Sequence, residues 1–230
     1  MKEKALKYLM KNQMIHIGMI EPINRGTVDI IYAGSDGVLI KELKSNAYMI
    51  SVDTVDKGRE LLENVSECNL AVVHQQFMVD DISDRYGLKD KLECVQAVYM
   101  HKDKLTIVNN IKIRQMDMKH AATILEHYHM LSETEIRTLL KEGNIYGGYQ
   151  NETLIGFVGM HLEGSIGLLE VFPEYRQHGY GTMLESYMVN KILDTGAIPY
   201  AQVEIKNEKS MALQKKLGFS LTKDSIYWMS

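Results

Sequence analysis

The sequence predicts an α+β fold with strands and helices mixed along the chain. Short apolar runs bounded by turn residues read as strands. Longer stretches with apolar residues three and four positions apart read as amphipathic helices. The two kinds alternate through both halves, with glycine or asparagine marking several helix ends.

The first residues, Met1-Lys2-Glu3-Lys4-Ala5-Leu6-Lys7, make a charged helix rather than a signal peptide, which needs an apolar stretch. Residues 37–40 and 47–52 read as a strand pair, and 57–65 as a helix. Residues 69–74 form a strand, 79–86 a helix ending at Gly87, and 93–100 a strand. The second half starts with a short strand at 111–114, followed by helices at 119–128 and 134–142. Strands at 145–150 and 154–161 are joined by the polar turn Asn151-Glu152, and a third strand, 166–172, runs into a glycine-containing turn. The helix from Thr182 places Leu184, Met188 and Ile192 on one face, with Gly196 at its C-cap. Residues 199–204 form a strand, Asn207 N-caps a helix over 209–217 that stops at Gly218, and 225–229 closes the chain as a strand.

A chain of 230 residues, 45% hydrophobic and 24% charged, has ordinary globular composition and room for one large or two small domains. The boundary is expected near Asn109-Asn110, giving 1–110 and 111–230, and no Pro- or Ser-rich linker separates the halves. The run Arg85-Tyr86-Gly87-Leu88-Lys89 with the strand after it parallels Lys216-Leu217-Gly218-Phe219 with the closing strand. Two readings stay open: a degenerate duplication, or two α+β units that share an element order. A net charge of −4 without a polybasic run speaks against a nucleic-acid partner. No apolar run approaches the ~18 residues that span a bilayer. Cys68 and Cys94 lack zinc-type spacing and suit a reduced, cytoplasmic chain. His127 and His129, two apart on a helix, make a poor metal pair, so no metal is expected. A serine-hydrolase elbow is missing, since no G-x-S-x-G occurs.

The chemistry concentrates in residues 169–182, where an apolar strand ends at Pro173, a basic turn carries Gly179 and Gly181, and a helix follows. That order brings backbone N–H groups and the positive end of a helix dipole to one point, which suits a phosphorylated ligand. Residues Gln177, His178, Gly179, Tyr180, Gly181 and Thr182 offer consecutive amides, as in an anion-binding nest. Glycine lets the backbone approach closely or take positive φ, and Arg176 and His178 add donors. An ordinary strand–turn–helix connection is the plainer reading of the same pattern. At the corresponding point of the first half, Asp53-Thr54-Val55-Asp56-Lys57-Gly58 carries two aspartates that repel phosphate.

The pattern R-x-x-G-x-G of Arg176, Gly179 and Gly181 resembles the pyrophosphate loop of the GNAT acyl-CoA N-acyltransferases. The resemblance extends through the helix and strand that follow to Asn207-x-x-Ser210 and Leu217-Gly218-Phe219, covering roughly the last 120 residues. Residues Pro199–Val203 and Leu213–Phe219 look most like the branch containing glycine N-acyltransferase, whose members carry a GNAT-like N-terminal half. It implies a central, mostly antiparallel twisted sheet flanked by helices, with a smaller GNAT-like N-terminal domain. It also implies that the strand ending at Phe172 splays from the strand at 200–204, and that the pantetheine arm of acetyl-CoA lies between them. The arm would pair with backbone near Val171 and Phe172, beside Asn207 and Ser210; capping is the other role of those two residues.

Acyl transfer to an amine needs a neutral amine, a donor for the developing oxyanion and a proton for the leaving thiolate. By the resemblance, the oxyanion donor is a main-chain N–H near Val171. The customary general-acid tyrosine is replaced by Gln214, and customary base positions by Ser165, Gly167 and Gln202, none of which titrates usefully. Nearby ionisable groups are His161, Glu163 and Glu170. A surface strand end, a solvated turn charge and a structural ion pair are their respective ordinary roles; Glu163 is the choice if a carboxylate is the base. The expected function is a cytoplasmic N-acetyltransferase acting on a small-molecule amine or amino acid, with no membrane partner and with room for a homodimer. A protein N-acetyltransferase and a CoA-binding sensor without turnover are the alternatives.

Overall fold

The computed structural model describes residues 1–107 and 111–230, so the boundary expected at Asn109-Asn110 lies outside the described residues. The chain forms two compact units. Unit one gathers Met1–Val98, Gln202–Lys215 and Phe219–Ser230; unit two gathers Tyr99–Ala201 and Lys216–Gly218. Neither unit is therefore a continuous half of the chain.

Unit one begins with helices α1 (Lys2–Leu9) and α2 (Ile17–Arg25) and continues through β1 (Val28–Ala33), β2 (Gly37–Glu42), β3 (Tyr48–Val52), α3 (Val55–Leu62), β4 (Ala71–Val73), α4 (Val79–Tyr86) and β5 (Lys91–Val98). Unit two holds β6 (Lys112–Gln115), α5 (Ala121–His127), α6 (Glu133–Glu142), β7 (Ile145–Gln150), β8 (Thr153–Met160), β9 (Ile166–Val171) and α7 (Tyr180–Leu193). Strand β10 (Tyr200–Glu204) starts in unit two; most of α8 (Glu208–Lys216) and all of β11 (Ser220–Met229) belong to unit one.

The sheet of unit one runs β1-β2-β3-β4-β11-β5. Its pairs are antiparallel apart from β3 with β4. Alternation along the strands feeds two cores. Leu39 and Ile50 face one side with Leu61 and Ile82 of α3 and α4. Val38, Ile40 and Met49 face the other with Leu9 and Ile20 of α1 and α2. In unit two the order is β6-β7-β8-β9-β10, antiparallel except for β9 with β10. Phe157, Leu168 and Phe172 pack there against Ile124, Ile136 and Leu139 of α5 and α6. The expected mostly antiparallel sheet flanked by helices is thus present. The order β1-β2-β3-α3-β4-α4-β5 recurs as β7-β8-β9-α7-β10-α8-β11, and in each series the third strand meets the fourth in parallel.

Two elements escaped the sequence reading. Helix α2 contains Gly18 and Pro22, both poor interior helix formers, yet residues Ile17 to Ile23 are all buried and packing overrides propensity. Strand β1 has a register shift between Ile30 and Tyr32, which erases the two-residue alternation by which a strand is recognised. Strand β11 begins at Ser220 rather than 225 because a second irregularity, between Leu221 and Ser225, interrupts its pairing with β5.

Candidate functional site

At the end of β9 the chain leaves the sheet at Phe172, makes a short 3-10 turn over Pro173–Tyr175, and enters α7 at Tyr180. Gln177 (φ 66°) and Gly179 (φ 81°) are both left-handed. Gly179 is the N-cap residue, and no side chain caps the helix. The first amides of a helix have no intrahelical partner, so those of α7 face outward toward whatever lies beyond the turn. Gly179 has nothing within 4 Å of where a Cβ would stand, so its requirement is conformational. At Gly181 a Cβ would meet Val171 Cγ2 at 3.7 Å, an ordinary contact.

The side chains of this loop mostly brace it. Arg176 Nε donates to the Val171 carbonyl at 2.9 Å, and its second guanidinium nitrogen reaches Glu170 Oε1 at 2.8 Å. His178 Nδ1 donates to the Arg176 carbonyl at 2.7 Å while its ring stacks on Tyr180. The buried Tyr180 hydroxyl accepts from Gln150 Nε2 at 2.8 Å. Lys216 brings an ammonium to Thr182 Oγ1 at 3.4 Å, a neighbour that sequence spacing did not reveal. The cradle is thus backbone amide with one lysine beside it, and Arg176 is a brace across the turn.

Strand geometry singles out Val171. The Phe172 N–H is taken by the Ile155 carbonyl of β8 at 3.0 Å, and alternation turns the Val171 N–H toward the other edge of β9. Phe172 itself is buried, its ring stacked on His127 with centroids 4.2 Å apart. Strand β9 also contains an irregularity that no sequence signal announced: Phe157 pairs with Glu170 and Gly159 with Gly167, one residue too many on β9. Leu168, buried and at φ 51°, occupies the extra place. A bulge leaves ladder groups unpaired and re-aims the strand, and such strain gathers at functional sites. Strand β10 meets β9 at one register position among the described residues, Ala201 beside Ile166.

The turn between β8 and β9 shows what Ser165 and Gly167 do structurally. Glu163 is only 4% exposed, so it is no solvated turn charge, and it accepts a hydrogen bond from Ser165 Oγ. Its backbone carbonyl accepts from the buried Tyr200 hydroxyl at 2.9 Å. His161 lies against Gly167, where a Cβ would collide with its Nε2. Ser165 therefore orients one ionisable group and Gly167 makes room for another. Tyr128, at the end of α5, was overlooked because it reads as a helix-end core aromatic. Burial pushes its phenol up to about 12 and the Glu163 charge adds to this, while hydrogen bonding with the Leu168 backbone opposes it. Glu170 takes the structural role of an acid paired with Arg176.

The remaining sequence candidates lie in unit one. Asn207 Oδ1 accepts from the Ser210 N–H at 3.0 Å and so caps α8, the structural role foreseen for it. Gln202 Oε1 accepts from Trp228 Nε1 at 2.6 Å, and Gln214 is buried. Among the described residues no group of three or more His, Cys, Asp or Glu is placed to hold a metal ion. No helix among them is long and apolar enough to cross a membrane.

This architecture is a GNAT-type fold. Residues 145–229, from β7 through β11, match the family model described as FR47-like protein. A search of curated proteins found no match. Among solved structures, a Drosophila protein is similar over 99% of this chain and 94% of its own, with 15% identity and a TM-score of 0.71. A GCN5-related N-acetyltransferase-like protein from Streptococcus suis covers 98% of this chain and 100% of its own at 16% identity and TM-score 0.57. A tandem GNAT protein from the clavulanic acid biosynthesis pathway covers 100% and 93% at 12% identity and TM-score 0.52. At such identities the likeness establishes the fold.

Proposed function

We propose that this chain is an acyl-CoA-dependent N-acyltransferase that transfers acetyl from acetyl-CoA to a primary amine of a small molecule or amino acid. The attack would be direct, within a ternary complex. The observation that carries the reading is the start of α7: a left-handed glycine cap, no capping side chain, and outward amides with Lys216 beside them. A pyrophosphate satisfies that arrangement with charge and acceptors together. The FR47-like match over residues 145–229 and the GNAT acetyltransferase-like fold support it.

In this reading the Val171 N–H donates to the thioester carbonyl oxygen as negative charge develops there. Glu163, oriented by Ser165, takes a proton from the incoming ammonium directly or through a water. Tyr128, protonated at neutral pH, is a candidate donor to the departing thiolate. Holding the amine at the thioester supplies much of the remaining rate by effective concentration. The recurrent element order, and the tandem GNAT protein among the similar structures, support a degenerate first copy occupying roughly residues 1–110. Its Asp53 and Asp56 would exclude a second CoA. Two buried free thiols, Cys68 and Cys94, agree with a reducing cytoplasm.

The test is thiol release from acetyl-CoA across a panel of amines, amino acids and peptides. Turnover above the amine-free blank with small amines supports the reading. Binding of acetyl-CoA with no turnover on any acceptor replaces it with a CoA sensor, the alternative that buried, non-titrating Gln214 favours.

A further inference from the structure

Unit one holds an open cleft of about 600 Å³, formed within that unit alone. This is the size of a small-molecule site. His74, just beyond β4, lines it and is only 5% exposed. Its Nδ1 lies 3.0 Å from the Ile50 carbonyl, which only accepts, so Nδ1 carries the proton and Nε2 is left as an acceptor. That Nε2 is buried without a hydrogen-bond partner among the described residues, a costly arrangement unless a donor visits it. Burial, with His16 adding to it, pushes the imidazole down to about 3, so it is neutral at pH 7. His16 is satisfied: its Nδ1 donates to the Leu9 carbonyl and its Nε2 lies 2.8 Å from Ser51 Oγ.

The charges around the cleft favour a cation. Asp53, Glu93 and Asp224 line it against Lys11 and Lys223. Lys11 is already engaged, donating to the Ser35 carbonyl at 2.8 Å and pairing with Asp53 at 3.9 Å, so Glu93 and Asp224 stand against Lys223 alone. Asp224 is exposed and has no ion-pair partner among the described residues. Phe77, 44% exposed, adds an apolar wall. Without a metal-holding cluster among the described residues, the cation that fits is organic.

We propose that this cleft is a binding site for a small organic ammonium ion, whose N–H groups serve His74 Nε2 and the carboxylates while its hydrocarbon part lies against Phe77. The site is separate from the acyl-transfer reading and stands whether or not that reading holds.

The test uses the full chain without acetyl-CoA. Phenethylamine is the probe and 2-phenylethanol its uncharged match, with imidazole ¹⁵N resonances as the readout. Expected are saturable phenethylamine binding, a displaced His74 Nε2 resonance and clearly weaker binding of the alcohol. His74→Phe should lose about tenfold in affinity, as for a hydrogen bond to a charged group. Asp224→Lys, at an exposed position that spares folding, should also lose about tenfold by charge reversal at close range. Equal binding of amine and alcohol, or an unmoved His74 with unchanged Asp224→Lys affinity, overturns the proposal.

Discussion

In unit one, β3 passes into α3 through Asp53 and Thr54; in unit two, β9 passes into α7 through a longer turn ending at Gly179. At the first turn the Thr54 side chain accepts from the Lys57 N–H at 3.2 Å, Asp56 lies in the first helical turn, and Asp53 receives the Tyr8 hydroxyl at 2.8 Å. The positive end of α3 is met by the protein's own oxygens. At the second turn no side chain caps α7 and no acid lies in its first turn. A capped helix start is satisfied within the protein, whereas an uncapped one leaves its first amides to water or to an outside anion. The glutamates in the hairpin turns give a second comparison. Glu42, fully buried at the end of β2, accepts through Oε2 from the amides of Lys44 and Ser45 and from Ser45 Oγ, and so fastens its own turn. Glu163, after β8, likewise accepts from a serine hydroxyl of its own turn, that of Ser165.

Gly179→Val is the substitution that most directly breaks the contrast between the two helix starts. A β-branched residue at φ 81° is strained by about 1–2 kcal/mol, and relief of that strain re-aims the amides. Acetyl-CoA affinity, measured calorimetrically, should fall at least about a hundredfold, since several charge-assisted hydrogen bonds go together. Gly181→Ala should fall less than about tenfold, because its added methyl meets only ordinary contacts. Wild-type affinity in Gly179→Val would make the uncapped start of α7 incidental.

The paired glutamates give the next test. Glu163→Gln should lower kcat about 10²-fold with the KM for acetyl-CoA unchanged, the size of a general-base contribution. Glu42→Gln should leave turnover alone and cost about 1–3 kcal/mol of stability, seen as a lower midpoint in urea. If both behave as stability variants, Glu163 is a second turn fastener and not a base.

Much of this contrast was legible in the sequence because it is local. Gly179 and Gly181 against Asp53 and Asp56 announced two helix starts of different chemistry, and Asn207 announced a cap. What stayed hidden depends on neighbours distant in sequence or on backbone detail. The burial of Glu163 arises when Tyr200, 37 residues away, covers its turn. Tyr128 acquires an electrostatic environment only when the end of α5 packs near β9. The bulge at Leu168 is invisible because leucine rarely takes positive φ and gives no composition cue. The partnership of Arg176 with Glu170, six residues apart, is local, but the sequence pattern alone serves an ion pair and a phosphate contact equally well.

Thr54→Ala sharpens the comparison from the unit-one side. Losing the oxygen that accepts from Lys57 should cost about 1 kcal/mol, the usual worth of an N-cap, read as a shift in the urea midpoint. Acetyl-CoA affinity should not change, because Asp53 and Asp56 still oppose an anion at α3. A gain of a second acetyl-CoA site in Thr54→Ala would show that the cap alone had closed that turn.

The smallest effect lies in the exposed turn between β7 and β8, which inverts the buried arrangement of Glu42. Glu152 accepts from Lys112 Nζ at 2.9 Å and from both terminal nitrogens of Arg114, and these partners hold its carboxyl well below the ordinary value of 4.5, at about 2. Its folded pKa is depressed, so the stabilisation is present above the unfolded pKa and is lost as pH falls through about 2. Wild type should therefore exceed Glu152→Gln by a small, constant margin above pH 5, closing between pH 5 and 2. The margin should also shrink in salt, since all three side chains are largely exposed and exposed ion pairs are screened. Paired denaturation midpoints across that range at low and high salt provide the measurement. A margin that persists at pH 2 would mean the turn is held by its backbone, with Asn151 and Glu152 both at positive φ, and owes nothing to the charge.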